Sequence, residues 1–406
     1  MLIRTRNIFR NNSLFFLNIF ILVFLVYGLM ISYGTTYIGK VGIYLLAFVG
    51  AYFLINRQFG KTKNELKTSF IEEKWLSRLL DFLIIFVAVF QVIHYFYIGN
   101  VPVIKAMMTT DYYYIAKIRQ DIKSVDSTLV NYTASFIIKA LIPVLLYVLY
   151  DKDRKRFWIF LLFAGFYSLA LMQKAYILTI FIPLILNFIL TKRWLHILLP
   201  AGVFIPGIVF LLLVTNPALR PFTSPEELTV PHTDDRNTAI QVSDALYDRV
   251  FITTGKMVGY WFYFVPDSLP QLNGDGYRFV APLKGGKYRD YSREIYDKVY
   301  LKEAAMGFTG TATTAYFMYD YANFGSWGLI FAGFYLAFFL IIVKWIFKGD
   351  YINMFALNGL FIIWLSSASF TSTLFSGGWV LTILLYLLFK PYFKAGKILK
   401  SAEENN

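Results

Sequence analysis

The stretch Leu14-Phe-Phe-Leu-Asn-Ile-Phe-Ile-Leu-Val-Phe-Leu-Val-Tyr-Gly-Leu-Met-Ile-Ser-Tyr33 carries no charge. It has the length, roughly 20 residues, that a helix needs to cross the hydrocarbon core of a bilayer. Arg4, Arg6 and Arg10 precede it and no small-x-small cleavage site follows, so it reads as an uncleaved span rather than a signal peptide. Comparable apolar runs recur at about 38–55, 79–99, 130–150, 157–173, 175–190, 194–214, 324–343, 351–368 and 376–389. The expectation is an all-α, polytopic integral membrane protein with about ten transmembrane helices, one integral domain over 1–406.

Composition agrees with that reading. Of 406 residues 57% are hydrophobic and 16% charged, where soluble domains carry about 25% charged residues, so a water-soluble globule is excluded. The absence of cysteine removes disulfides, zinc–thiolate centres, iron–sulfur clusters and thiol nucleophiles. The net charge of +14 is sorted by topology, which makes nucleic acid an unnecessary partner. Placing the N-terminus inside sends Arg57, Lys61, Lys63, Lys67, Lys74, Lys152, Arg154, Lys155, Arg156, Lys192, Arg193, Lys344 and Lys348 to cytoplasmic loops, with Lys390 to Lys400 in the tail. Short loops collect cations on the cytoplasmic side, so both termini are expected there.

The segment 215–310 then forms one large external loop. Pro217, Pro221, Pro225 and Pro231 forbid a continuous helix at its start. Asp244 to Val265 reads as a helix whose apolar end is too short to span, and which is expected to lie in or dip into the interface. Asn273-Gly-Asp-Gly276 has a GxG look but lacks the third glycine and the βαβ setting of a dinucleotide site, so it reads as a turn. Asp151-Lys-Asp153 imitates a metal-nucleotide DxD but sits in a basic inner turn. No Walker loop, HExxH or GxSxG occurs.

What remains on the outer side is cationic and aromatic. Lys117, Arg119 and Lys123 lie beside Tyr112, Tyr113 and Tyr114, a pattern able to hold a phosphate next to sugar rings. Lys139 lies within an apolar run and Lys174 between two, where a cation is costly unless it faces a wet cavity or an anion. Asp81 and Asp320 are their candidate structural counter-ions. In the large loop Arg249, Lys256, Arg278 and Arg289 supply donors that suit a diphosphate, although Asp267, Asp275, Asp290, Glu294 and Asp297 are available to neutralise them. His232 is the one histidine of that loop and a candidate base, as are Asp244 and Asp248.

Four segments together resemble the bacterial polysaccharide polymerases that join O-antigen or capsule repeat units. They are Gly99-x-x-Pro102 with the Tyr- and Arg-bearing residues after it; Leu171-Met-Gln-Lys174-Ala-Tyr-Ile-Leu; Asp248-Arg249-Val-Phe-x-x-x-Gly255; and Thr313-Thr-Ala-Tyr316 through Tyr321-Ala-Asn-Phe324-Gly325-x-x-Gly328. Lys174 stands where that family often has Arg, which removes a bidentate fork. The resemblance implies a glycosyltransferase of the bacterial inner membrane. It would transfer a glycan from polyprenyl diphosphate to the next lipid-linked repeat unit at the outer face. Protein cations such as Lys174, Arg249 and Arg119 would stabilise the leaving diphosphate. No cofactor or bound metal is expected; the partners are lipid-linked oligosaccharides, membrane lipids and a chain-length regulator. An O-antigen ligase shares the donor and differs in acceptor. A lipid-linked oligosaccharide flippase is the transporter alternative, but would ordinarily show an internal repeat.

Overall fold

The computed structural model describes residues 9–59, 72–122, 127–215, 244 and 247–393. All regular structure among them is helical. The main helices in chain order are α1 (Ser13–Tyr33), α2 (Ile38–Phe59), α3 (Glu73–Ile98), α4 (Thr128–Lys152), α5 (Arg154–Ala170), α6 (Lys174–Leu190), α7 (Leu198–Thr215), α8 (Thr253–Phe264), α9 (Tyr291–Val299), α10 (Tyr316–Ile346), α11 (Tyr351–Trp364) and α12 (Trp379–Phe389). Among the described residues seven helical segments are long and apolar enough to cross a membrane: α1, α2, α3, α4, Trp194–Thr215, α10 and Phe370–Tyr392. The other three expected spans are helices too, but α5 and α6 have 17 residues each and α11 has 14.

The chain divides into two compact units. The first comprises Met1–Glu65, Ala239–Lys348 and Phe361–Thr373. Its broadest helix contact is α10 on α2, and its second is α8 on α1. In apolar surroundings helices gain little from burying more hydrocarbon, so close backbone approach through small residues decides which faces meet. A Cβ on Gly333 would lie 2.6 Å from the Phe48 nitrogen, and one on Gly255 would lie 2.2 Å from the Leu29 nitrogen and 2.3 Å from the Leu25 oxygen. Gly28 faces the carbonyls of Phe251 and Ile252, and Gly259 faces the Tyr33 ring. Contacts advance together along both chains, so α8 runs lengthwise beside α1. In the π-helical turn Asp248–Ile252 that precedes it, the Phe251 ring meets that of Phe24 at 5.2 Å.

Helix α10 is not one rod. Phe324 and Gly325 leave helical geometry, with Gly325 at φ 58°, a conformation open to glycine and strained for other residues. The Tyr316 hydroxyl oxygen lies 3.3 Å from the Ala332 carbonyl oxygen, although 16 residues of straight helix would separate them by about 24 Å. Residues 316–323 are therefore a two-turn half-helix folded back against 326–346. The turn Asn273-Gly-Asp-Gly276 closes its end, as the turn reading requires. The amides of Leu272 and Asn273 donate to the carbonyls of Ala322 and Asn323 at 2.9 and 3.0 Å. Asn323 Oδ1 accepts from the amides of Gly274 and Gly276, both at 3.0 Å.

The second unit comprises Leu66–Thr238, Gly349–Leu360 and Leu374–Asn406. Helix α4 is its centre, with Ile142 to Tyr150 entirely buried. Cations expected on the inner side gather at one end of this unit. Arg156 pairs with Asp81 at 2.6 Å, Lys152 with Glu73 at 3.2 Å and Arg193 with Asp151 at 3.9 Å. Asp153 caps α5 by accepting from the Arg156 amide at 3.1 Å, so the DxD look-alike is a helix cap. Asp81 is therefore the partner of Arg156, not a counter-ion of Lys139 or Lys174.

Candidate functional site

In the first unit a cavity of about 350 Å³ is lined by Tyr277, Val280, Tyr316, Tyr319, Asp320, Tyr335, Ser369, Phe370 and Thr371. Its polar centre is Asp320 on the folded-back half-helix. Tyr277 donates to Asp320 Oδ1 and Tyr335 to Oδ2, which leaves each oxygen a further lone pair. Among the described residues no cation pairs with it, so there Asp320 is a carboxylate held by two phenols instead of a counter-ion for Lys139 or Lys174. Burial and the Asp320 charge both push the Tyr277 hydroxyl well above its ordinary range, which keeps it protonated and donating.

The aromatic wall is braced from behind. Tyr316 donates to Tyr44 at 2.8 Å, and Asn18 donates to the same hydroxyl at 3.3 Å. Trp261 donates to the Ala312 carbonyl at 2.9 Å and its ring lies 4.9 Å from Tyr319. The Phe370 and Tyr335 rings are 4.6 Å apart. Lys40 sits close to the rings of Tyr37, Phe262 and Tyr321 and donates to the Tyr321 hydroxyl at 2.8 Å. Such interhelical hydrogen bonds average about 0.6 kcal/mol in a bilayer, so their main effect is to fix ring positions. Aromatic faces, two hydroxyls and one carboxylate form a surface complementary to a sugar ring, which presents C–H faces and hydroxyl edges. The carboxylate is also positioned to take a proton from a hydroxyl within reach.

The expected site residues divide between the units. Lys174, Arg119, Lys139 and Tyr113 lie in the second. Lys174 opens α6 and is half-buried; Lys139 is half-buried within a π-helical turn, Ile137–Leu141, in the middle of α4. Such turns recur at functional sites. Arg119 and Tyr113 are exposed on the helix Tyr112–Asp121. All four are engaged within the chain.

Asp244, Asp248, Arg249, Lys256, Arg278 and Arg289 lie in the first unit. Asp244, Asp248, Lys256, Arg278 and Arg289 are exposed, and none of them lines the cavity. Asp248 and Arg249 begin a π-helical turn, Asp248–Ile252. Arg278 stacks on Tyr288 at 5.0 Å. Arg289 pairs with Glu294 at 3.0 Å, the neutralisation anticipated for ordinary loop charge. His232 lies outside the described residues. Among the described residues no group of three or more His, Cys, Asp or Glu side chains is arranged to hold a metal ion.

Reading the sequence for cations did not single out Tyr277, Tyr319 or Tyr335, and it offered Asp320 as a counter-ion where the structure pairs it with two phenols. The available signal was a lone carboxylate in Tyr316-Phe-Met-Tyr-Asp320-Tyr321 at the head of an apolar run, since an ionisable residue there is by default a functional candidate. No protein-family model, curated protein or solved structure matches the chain.

Proposed function

We propose that the chain is a glycosyltransferase of the bacterial cytoplasmic membrane that transfers a glycan from polyprenyl diphosphate to the next lipid-linked repeat unit. On this reading the chain crosses ten times, with α5, α6 and α11 as the shorter crossings, both termini in the cytoplasm and the pocket on the outer side. The observation that carries the reading is the Tyr277–Asp320–Tyr335 arrangement inside an aromatic cavity. Asp320 takes the proton of the acceptor hydroxyl as that oxygen forms its bond to the anomeric carbon. The bond from that carbon to the diphosphate breaks, and the diphosphate leaves with the electron pair. Arg249, in the same unit as Asp320, is the cation assigned to the leaving diphosphate, and Lys174 and Arg119 of the second unit, named for that role by the sequence, are tested by their own substitutions. Asp320 replaces Asp244 and Asp248 as the preferred base because it is buried in the wall of the cavity while they face solvent.

The test is chain extension by purified protein on lipid-linked repeat units, resolved as a ladder. General-base assistance contributes about 10²–10⁴-fold, so Asp320→Asn is expected to slow extension by at least 10²-fold while Tyr335→Phe retains measurable extension. A wild-type ladder from Asp320→Asn refutes the assignment. In a deletion strain single repeats on the surface glycan support a polymerase. Accumulated free lipid-linked polymer supports a ligase, and absence of exported glycan supports a flippase.

A further inference from the structure

The cavity wall that carries Tyr277 and Val280 belongs to a short turn with an outer face of the opposite character. In Tyr277-Arg-Phe-Val-Ala-Pro-Leu283, Phe279 is 76% exposed and Leu283 86%, while Ala281 between them is fully buried. The turn is pinned. Ala281 donates to the Tyr277 carbonyl at 3.0 Å, Gly286 to the Ala281 carbonyl at 2.9 Å and Arg289 to the Asp275 carbonyl at 3.0 Å. Lys284 donates to the Asn273 carbonyl. Two large apolar side chains are thus held outward on a segment that lies outside the spanning helices. From Gly276 to Arg289 the chain also holds Arg278, Lys284, Lys287 and Arg289; Lys284 lies 3.7 Å from Asp275 and Arg289 3.0 Å from Glu294, so part of that charge is balanced within the protein.

We propose that this turn is a membrane-surface anchor, with Phe279 and Leu283 seated among lipid acyl chains and the surrounding cations level with lipid phosphates. Apolar tips ringed by Lys and Arg have the composition that partitions to the headgroup–acyl boundary. The occupant is the phosphate-bearing lipid surface of the membrane that the chain itself spans. Tyr277 and Val280 face the cavity from the same pinned turn, so the cavity wall is fixed at the depth of the lipid surface. On the glycosyltransferase reading, which this consequence rests on, an acceptor still attached to its lipid reaches Asp320 without leaving the bilayer.

Because the chain has no cysteine, Phe279→Cys, Leu283→Cys and Lys287→Cys can each be nitroxide-labelled without altering other positions. The full chain is reconstituted in phosphatidylcholine–phosphatidylglycerol vesicles, and label relaxation by oxygen and by a water-soluble nickel chelate is compared. The expected result is a several-fold preference for oxygen at 279 and 283 and for the chelate at 287. Chelate preference at both tips, or exclusion of both agents with an immobilised spectrum, overturns the anchor. If a labelled variant loses monodisperse elution, quenching of Phe279→Trp by brominated lipid, taken as the increment over native tryptophans, decides the same question. No increment overturns it. Neither measurement involves a glycan, so failure of the anchor and failure of the enzymatic reading are separately visible.

Discussion

Removing the Asn323 carboxamide tests whether the half-helix and the turn that carries Tyr277 are held as one piece. Its oxygen accepts from the amides of Gly274 and Gly276, and its nitrogen donates to the Tyr319 carbonyl at 2.8 Å. Asn323→Ala leaves both amides without that acceptor. Gly274 is buried and Gly276 half-exposed, and an unsatisfied buried donor costs about 1–3 kcal/mol, so with partial rescue by water at Gly276 the loss is about 3 kcal/mol. That is a shift of roughly 150-fold in the docking equilibrium of the turn.

Gly276→Ala perturbs the same contact from the other side, since its Cβ would lie 2.5 Å from Asn323 Nδ2 and 2.9 Å from Oδ1. Without the carboxamide the Cβ meets only Leu272 Cδ1 at 2.9 Å, the end of a side chain that can rotate, so the double variant is expected to lose less than the sum of the singles by about 1 kcal/mol or more. The assay is SDS-titrated unfolding in mixed micelles, with chain extension measured in parallel. A loss below about 0.5 kcal/mol for Asn323→Ala, or strict additivity in the cycle, refutes the shared anchorage.

Gly255→Ala places a Cβ against backbone atoms of α1 that cannot rotate away; the same titration is expected to show a loss of about 3 kcal/mol or more. Gly165→Ala, with nothing within 4 Å of its Cβ, is expected to be neutral or stabilising by up to about 1 kcal/mol. Lys174→Ala is expected to abolish extension with the protein still in the membrane. At Arg249 the order of activity is Arg, then Lys, then Glu, because Lys keeps the charge without the fork; a wild-type ladder from Arg249→Glu removes it from the site. Extension is expected to persist in excess EDTA, and loss of activity restored only by magnesium or manganese overturns reliance on protein cations.

The helical class was legible because hydrocarbon thickness imposes a length on apolar runs, and a run such as Leu14–Tyr33 satisfies it without reference to any partner. Lys344, expected on the inner side, donates to Asn12 and Asn56 at 2.8 Å each, where the start of α1 and the end of α2 meet the end of α10. The shorter helices resisted reading because hydropathy windows see composition and not where a turn interrupts it. Leu171 to Gln173, with Met172 at φ 53°, separates α5 from α6, and helix Tyr351–Trp364 stops before the turn at Leu365 to Ser367.

The pocket was hidden by an opposite difficulty. A cation in an apolar run announces itself through its solvation cost, so Lys139 and Lys174 drew attention as isolated charges. Asp320 incurs the same cost and offsets it with the hydroxyls of Tyr277, 43 residues away, and Tyr335, 15 residues along the same helix. Neither spacing follows a helical period, because Gly325 reverses the chain between Asp320 and Tyr335, and the Asn273–Gly276 turn sets where Tyr277 meets them. Each feature is visible alone as a glycine, an asparagine or a turn. Their meaning depends on the hairpin that joins them: Gly328 has no Cβ because the Asp320 carbonyl would lie 2.0 Å from it. A bulkier residue at 328 would push the half-helix off the span and withdraw the carboxylate from both phenols, so the glycines after Asn323 set the position of the carboxylate while lying outside the cavity wall.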